Sequence, residues 1–232
     1  MALYAIADLH LAFSTGKIKS MNIFPGWENY TEKLESNWRK KVTDNDTVVI
    51  AGDISWAKRL DESYEDFAFI ESLPGRKLLI KGNHDYWWTS RKKMDTYFAE
   101  NSFNSISVIF NSTNVVENFA VCGTRGWFFD SSTDEDIKVL KREVGRLETS
   151  IKLAEQTGAQ PVAFLHYPPV YGDFECEEIM SVLISHNIKK CYYGHVHGKN
   201  AAKRVIEGEY KGIDFKLISC DYLKFTPVLV GG

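Results

Sequence analysis

The 232-residue chain reads as an α/β protein. Two observations predict this class. Short apolar runs alternate with stretches whose apolar residues recur at helical spacing, the order expected of stacked strands and helices. Several of these runs also stop at a glycine, an acid or a histidine, as a buried strand does on reaching the edge of its sheet.

Taken in order, Leu3 to Ala7 predicts the first buried strand. Trp27, Tyr30, Leu34 and Trp38 predict a helix over roughly 27–41. Thr47 to Ala51 is a second strand, ending at Gly52-Asp53. Leu60, Tyr64, Phe67 and Ile70 mark another helix, stopped by Pro74-Gly75. Lys77 to Lys81 is a third strand, ending at Gly82-Asn83-His84-Asp85, and a helix follows around 89–100. Residues 106–123 predict two short strands around a polar turn at Asn111 to Asn114.

One long helix is expected over about 134–157, because Ile137, Leu140, Val144, Leu147, Ile151 and Ala154 step by threes and fours. Asp134, Glu135 and Asp136 open it and suit the positive end of its dipole. Its stripe suits a helix lying on a sheet, and a homodimer contact is the alternative use. Pro161 to Leu165 is a strand ending at His166, a helix follows around 175–186, and Lys190 to Tyr193 is a strand ending at Gly194-His195-Val196-His197. From 201 onward, Gly208 and Gly212 suggest an antiparallel hairpin that finishes a second sheet. With no linker, repeat or low-complexity segment, a single domain over 1–232 is expected.

Composition narrows the function classes. The formal net charge of −3 provides no global field for long nucleic acid or an anionic membrane, although a bound cation can still supply local positive charge. Cys122, Cys176, Cys191 and Cys220 lie far apart without a CxxC pair, which suits reduced, buried thiols. No run approaches the ~18 apolar residues of a membrane span, and the N-terminus lacks a basic leader, so a cytoplasmic location is expected.

Five predicted strands end in metal-capable residues: Asp8 with His10, Asp53, Asn83 with His84, His166, and His195 with His197. In an α/β sheet, the crevice outside the carboxyl ends of the strands is where ligands bind. Five of the six histidines fall there. In Asp8-Leu9-His10 and His195-Val196-His197 the polar residues are two apart, so in extended backbone they share a face and reach one ion or two adjacent ions. Gly52, Gly82 and Gly194 precede the ligands and allow the backbone to turn tightly. Mixed imidazole, carboxylate and amide donors favour Mn, Fe, Zn, Co or Ni over an all-oxygen Mg site.

The series Asp8-x-His10, Gly52-Asp53, Gly82-Asn83-His84-Asp85, His166 and Gly194-His195-x-His197 resembles the signature of the calcineurin-like metallophosphoesterase family, in the family's order. The resemblance implies a four-layer α/β/β/α sandwich, two mixed sheets flanked by helices. It implies two divalent ions, one held by Asp8, His10, Asp53 and His197, the other by Asp53, Asn83, His166 and His195, with Asp53 bridging. His84 would stand outside the metal shell, oriented by Asp85, and assist the leaving group as a metal-bound hydroxide attacks a small phosphate ester. Two ions about 3.5–4 Å apart suit such an in-line displacement.

The alternatives are a phosphodiesterase acting on cyclic nucleotides or other diesters, and a non-catalytic scaffold of the same fold. Tyr86, Trp87 and Trp88 suit either an aromatic wall beside the metals or core packing, and Tyr167 is equally open. Arg125 suits a surface salt bridge or a phosphate clamp. His186 reads as structural, and Arg91-Lys92-Lys93 as a solvated helix face.

Overall fold

The computed structural model describes residues 1–16, 18–127 and 133–230. Along the first half run β1 (Leu3–Ile6), α1 (Tyr30–Lys41), β2 (Thr47–Ala51), α2 (Tyr64–Ser72), β3 (Arg76–Ile80), α3 (Arg91–Glu100), β4 (Ile106–Val108), β5 (Asn114–Val116) and β6 (Phe119–Thr124). The second half continues with α4 (Asp134–Glu155), β7 (Gln160–Leu165), β8 (Val170–Tyr171), β9 (Phe174–Glu175), α5 (Glu177–Ser185) and β10 (Lys190–Tyr193). It closes with α6 (Lys199–Ala202), β11 (Gly208–Tyr210), β12 (Ile213–Leu217) and β13 (Val228–Leu229).

Two mixed sheets result. One has the order β13-β1-β2-β3-β4, the other β11-β12-β10-β7-β6-β5. In the first, β1 to β4 are parallel and β13 is antiparallel at the edge. In the second, β6, β7, β10 and β12 are parallel, with antiparallel β5 and β11 at the two edges.

Alternation along the strands builds the layers. In β2, Val48 and Ile50 face the cluster formed with α1, α2 and α3, while Val49 and Ala51 face the second sheet. In β7, Ala163 and Leu165 face α4 and α5, while Val162 and Phe164 face the first sheet. This is the expected four-layer arrangement of helices, sheet, sheet and helices. Buried Leu140, Leu147, Ile151 and Ala154 seat α4 on the second sheet, and the Thr133 hydroxyl caps it by accepting from the Asp136 amide at 3.1 Å.

Three local expectations are refined. Helix α1 starts at Tyr30 instead of 27, because Asn29 is left-handed at φ 52°; Trp27 packs from the preceding turn. The polar segment 111–114 does not close a hairpin. Strand β4 pairs with β3 in the first sheet, so that segment carries the chain across to the second, and the hairpin turns at Glu117, where φ is 52°. Strand β13 has only two residues and was not foreseen. The hairpin at 208–217 forms as expected. All four cysteines are buried and unpaired, and among the described residues no helix is long and apolar enough to cross a membrane.

Candidate metal centre

The parallel strands end together, and their outgoing loops run side by side. The Asp8 amide donates to the Gly52 carbonyl at 2.9 Å, the His10 amide to the Asp53 carbonyl at 2.9 Å, and the Gly194 amide to the His166 carbonyl at 3.0 Å. Asp8, His10, Asp53 and His195 all take left-handed backbone, at φ 62°, 46°, 50° and 71°. The extended geometry expected for Asp8-Leu9-His10 is therefore not what brings these two side chains together. Left-handed non-glycine residues cost about 1–3 kcal/mol each and persist where the surrounding structure enforces them.

Close approach explains two glycines. A Cβ on Gly82 would lie 2.1 Å from the Asp53 amide nitrogen, and one on Gly194 would lie 2.6 Å from the Asp8 carboxylate. Any side chain there would displace a candidate ligand.

Two donor groups form at this edge. Asp8, His10 and His197 make one; Asp53, His166 and His195 make the other; within each group the donor atoms lie within 4.8 Å of one another. Asp53 faces both, with Oδ2 at 3.8 Å from His10 Nε2 and Oδ1 at 3.5 Å from His166 Nε2. Asn83 Oδ1 lies 2.7 Å from His166 Nε2, which places the amide with the second group. The pair His195 and His197 splits between the groups.

The donor chemistry fits cations at both places. His166 Nδ1 donates to the Ala51 carbonyl at 3.1 Å, and His197 Nδ1 donates to Asp221 Oδ1 at 2.9 Å. Each bond turns the Nε2 lone pair inward, the tautomer a metal ligand needs. His166 Nε2 then faces the Asn83 and Asp53 oxygens, and His197 Nε2 faces His10 Nε2 at 3.3 Å. Burial is outweighed at His197 by the Asp8 and Asp221 carboxylates, which raise it to about 9, so in the metal-free chain a proton on His197 Nε2 bridges to His10, at the place a bound cation would take. Burial, followed by neighbouring histidines, lowers His195 to about 3; burial also outweighs the Ala51 bond to lower His166 to about 3, so both rings are neutral. Burial raises the Asp8 carboxyl to about 7, a cost that a bound cation would relieve.

His84 stands outside both groups, as expected. Its amide donates to Asp53 Oδ1 at 2.8 Å, and its ring lies 4.7 Å from Trp56 and 6.0 Å from His10. The expected role of Asp85 is corrected. Asp85 accepts from the amides of Asp53, Ile54 and Gly82 at 3.0, 2.8 and 2.7 Å, and from the Trp87 indole at 3.0 Å. Among the described residues no hydrogen bond joins it to the His84 ring. The carboxylate is buried and turns toward backbone donors that would otherwise be unsatisfied, so it fixes the ligand loops. The His84 ring meets the Tyr86 hydroxyl instead, at 3.5 Å.

Sequence reasoning missed two neighbours. Asp221 sets the His197 tautomer; its signal is an acid just past the end of β12, at the same sheet edge. Trp56 stacks on His10 at 4.9 Å and 21°, and no local pattern announces it.

The open candidates separate. Trp87 is core, packed edge-on against Phe67, whereas Tyr86 is 59% exposed beside His84. Trp88 is partly buried against Phe110. The Tyr167 ring packs edge-on against His195 at 4.5 Å. Arg125 lies 3.7 Å from Glu143, and its carbonyl accepts from the His166 and Tyr167 amides. His186 pairs with Glu155 at 2.9 Å, a structural role. Arg91 pairs with Asp95 on an exposed face of α3.

The profile of the calcineurin-like phosphoesterases matches residues 1–199. The chain belongs to that family. Solved structures of similar fold include a protein of unknown function from Aquifex aeolicus, 18% identical, covering 98% of this chain and 95% of that one with TM-score 0.54. A phosphopantetheinyl hydrolase from Mycobacterium tuberculosis is 14% identical, covering 99% and 95% with TM-score 0.55. A protein from Thermus thermophilus is 12% identical, covering 85% and 82% with TM-score 0.55. At these identities the likeness is one of fold. No curated protein matches the chain by sequence. As a calcineurin-like phosphoesterase with two His/Asp groups, the chain is a metal-dependent phosphoesterase in the general sense.

Proposed function

We propose that this phosphoesterase hydrolyses small phosphate esters with two divalent ions, using His84 to assist the leaving group. One observation carries the reading: two groups of inward-facing donors adjoin at Asp53, which belongs to one and lies 3.8 Å from His10 of the other, and His84 stands at their rim without joining either. Asp8, His10, Asp53 and His197 would hold one ion, and Asp53, Asn83, His166 and His195 the other. When bound, such ions act as Lewis acids and lower the pKa of coordinated water.

The chain's own residues supply the rest. Asp53 sets the relation between the two groups through its two oxygens, and Asp85 holds the Asp53 amide so that this relation is kept. Asp221 and the Ala51 carbonyl hold His197 and His166 in the ligating tautomer. His84, braced by Trp56 and reached by the Tyr86 hydroxyl, is placed to donate a proton to a departing ester oxygen. A formal net charge of −3 supports a small substrate over long nucleic acid.

The test is metal analysis followed by hydrolysis of 4-nitrophenyl phosphate and bis(4-nitrophenyl) phosphate with Mn, Fe, Zn, Ni and Mg. We expect about two ions per chain and turnover of the monoester. Preference for the diester would select the phosphodiesterase alternative. No turnover of either ester with any metal would sink the enzyme reading in favour of the scaffold.

A further inference from the structure

A groove lies beside the candidate metal centre, between the segment 58–61, the loop 86–90 and one face of α3. Its volume of about 910 Å³ is at the upper end of what small-molecule sites enclose.

Two stretches of chain lead from the centre into it. Trp56 stacks on His10 and flanks His84 at 4.7 Å, and two residues on Lys58 lines the groove. His84 stands at the rim of the donor groups, and two residues on Tyr86 lines the groove. Tyr86 belongs to both places. Its hydroxyl lies 3.5 Å from His84 Nδ1, its ring lies 6.1 Å from the imidazole, and it is 59% exposed. The groove and the His84 ring are therefore separated by the width of one exposed side chain.

The lining joins flat apolar surface to unmatched cations. Leu60, Tyr86, Trp88 and Tyr97 supply the apolar part. The charged part is Lys58, Arg59, Lys92 and Lys93 against Asp61 and Glu100. Arg59 is held by Asp61 at 3.0 Å and, from outside the lining, by Glu62 at 3.5 Å. The ammonium groups of Lys58, Lys92 and Lys93 make no hydrogen bond or ion pair among the described residues. Glu100 is the one acid left in the lining for all three. Lys92 and Lys93 also stand in the first turn of α3, which carries no acid and whose dipole disfavours cations. A solvated helix face accounts for the lysines but not for a tyrosine ring left in water beside His84. A purely apolar occupant would leave the lysines unmatched, and a free inorganic anion would leave the rings uncovered.

We infer that this groove receives the leaving group of the substrate, and that this group carries a flat ring, laid against Tyr86, and an oxyanion, met by Lys58, Lys92 and Lys93. The inference rests on the phosphoesterase reading above and narrows its substrate class. Tyr86 and the three lysines determine specificity, while the chemistry stays with the metal centre and His84.

The test compares leaving groups on the metal-loaded full chain. Adenosine 3′-phosphate and uridine 3′-phosphate against glycerol 2-phosphate read the ring. Adenosine 3′,5′-bisphosphate against adenosine 3′-phosphate reads the oxyanion, with release of the 3′-phosphate measured. We expect at least one nucleoside ester to exceed glycerol 2-phosphate about tenfold in kcat/KM, through KM, the size of one stacked ring. The bisphosphate should gain about a further fivefold at low salt and lose that gain at about 1 M salt, because exposed charge pairs are weak and screened. Tyr86→Ala should erase the ring preference and Tyr86→Phe should keep it. Replacing Lys58, Lys92 and Lys93 together by Gln should erase the oxyanion preference; all three are exposed, so the variant is expected to fold. Calorimetry with adenosine 5′-sulfate, which has no phosphoester bond to cleave, gives a readout independent of turnover. Its binding should be tighter than that of adenosine and should weaken about tenfold in Tyr86→Ala.

Equal kcat/KM within either pair, with 4-nitrophenyl phosphate still turned over, would overturn the inference and leave the phosphoesterase reading intact. Preferences that survive Tyr86→Ala and the lysine replacements would overturn it as well, because the leaving group would then lie elsewhere. Failure to hydrolyse any ester with any metal would remove the reading itself, and this inference with it.

Discussion

The two donor groups of the metal centre are built from the same residue types but held in different ways. In the group of Asp53, His166 and His195, the His166 ring is oriented by a main-chain acceptor, the Ala51 carbonyl at the end of β2. In the group of Asp8, His10 and His197, the His197 ring is oriented by a side chain, Asp221, and is 29% exposed where His166 is 0%. A main-chain orienter cannot be removed by substitution, and it moves only if the sheet moves. A side-chain orienter can be lost alone. The first arrangement makes one site an extension of the sheet; the second leaves the other adjustable, with its affinity set partly by a residue outside the ligand set.

The comparison is broken most completely at Asp53, which belongs to one group and reaches toward His10 of the other. Asp53→Ala should release both ions and abolish turnover, with metal analysis near zero per chain. Retention of one ion would show that the two sites are more independent than the position of this carboxylate indicates. His84→Ala comes next, because it leaves both groups intact. We expect full metal content and a fall in kcat of about 10²–10⁴-fold on esters with poor leaving groups. An unchanged rate on such esters would remove His84 from the proton-donating role.

The asymmetry itself is tested at Asp221. Asp221→Asn keeps the shape but weakens the partner of His197 Nδ1. Affinity at the adjacent site should fall by about 10–100-fold, the usual consequence of losing such a partner. Titration with limiting metal should then show two separated binding steps, one unchanged from the parent protein. Equal weakening of both steps would mean that the sites are coupled too tightly to be distinguished by their orienters.

Most of this centre was legible in the sequence, because strand ends are local features and ligands are chemically distinctive. Asp8, His10, Asp53, Asn83, His166, His195 and His197 each follow an apolar run, and the structure brings all of them to one edge. Adjacency to His84 suggests a partnership for Asp85, whereas the backbone turn points its carboxylate back toward five buried donors. Trp56 was missed because its partner His10 is 46 positions away and nothing in the intervening chain encodes the stacking. Asp221 lies past a strand that reads as part of a closing hairpin, so its proximity to β10 depends on sheet order and not on local pattern. The turn at 111–114 failed for a related reason: polarity marks a turn but does not say which sheet the chain enters next.

The smallest predicted effect lies at the opposite end of β3, where a buried charge has no metal to balance it. Lys77 is 1% exposed, and its ammonium donates to the Leu73 carbonyl and to Ser105 Oγ at 2.9 Å. Burial lowers it to about 8 from an ordinary 10.5. The folded state therefore sheds this proton first, and between about pH 8 and 10.5 the unfolded chain binds more protons at this group. Stability contributed by Lys77 should rise with pH across that window, by at most about 1.4 kcal/mol per pH unit. Four buried thiols act in the opposite sense, because burial raises Cys122, Cys176, Cys191 and Cys220 above 9.0 and unfolding lets them ionise. Parent and Lys77→Met proteins share those thiols, so the difference between their urea-unfolding free energies isolates the lysine. That difference should shift in favour of the parent from about pH 8 to 10. A flat difference would show that the ammonium keeps its proton in the folded state, with the Leu73 carbonyl, Ser105 and the nearby Glu71 carboxylate compensating its burial.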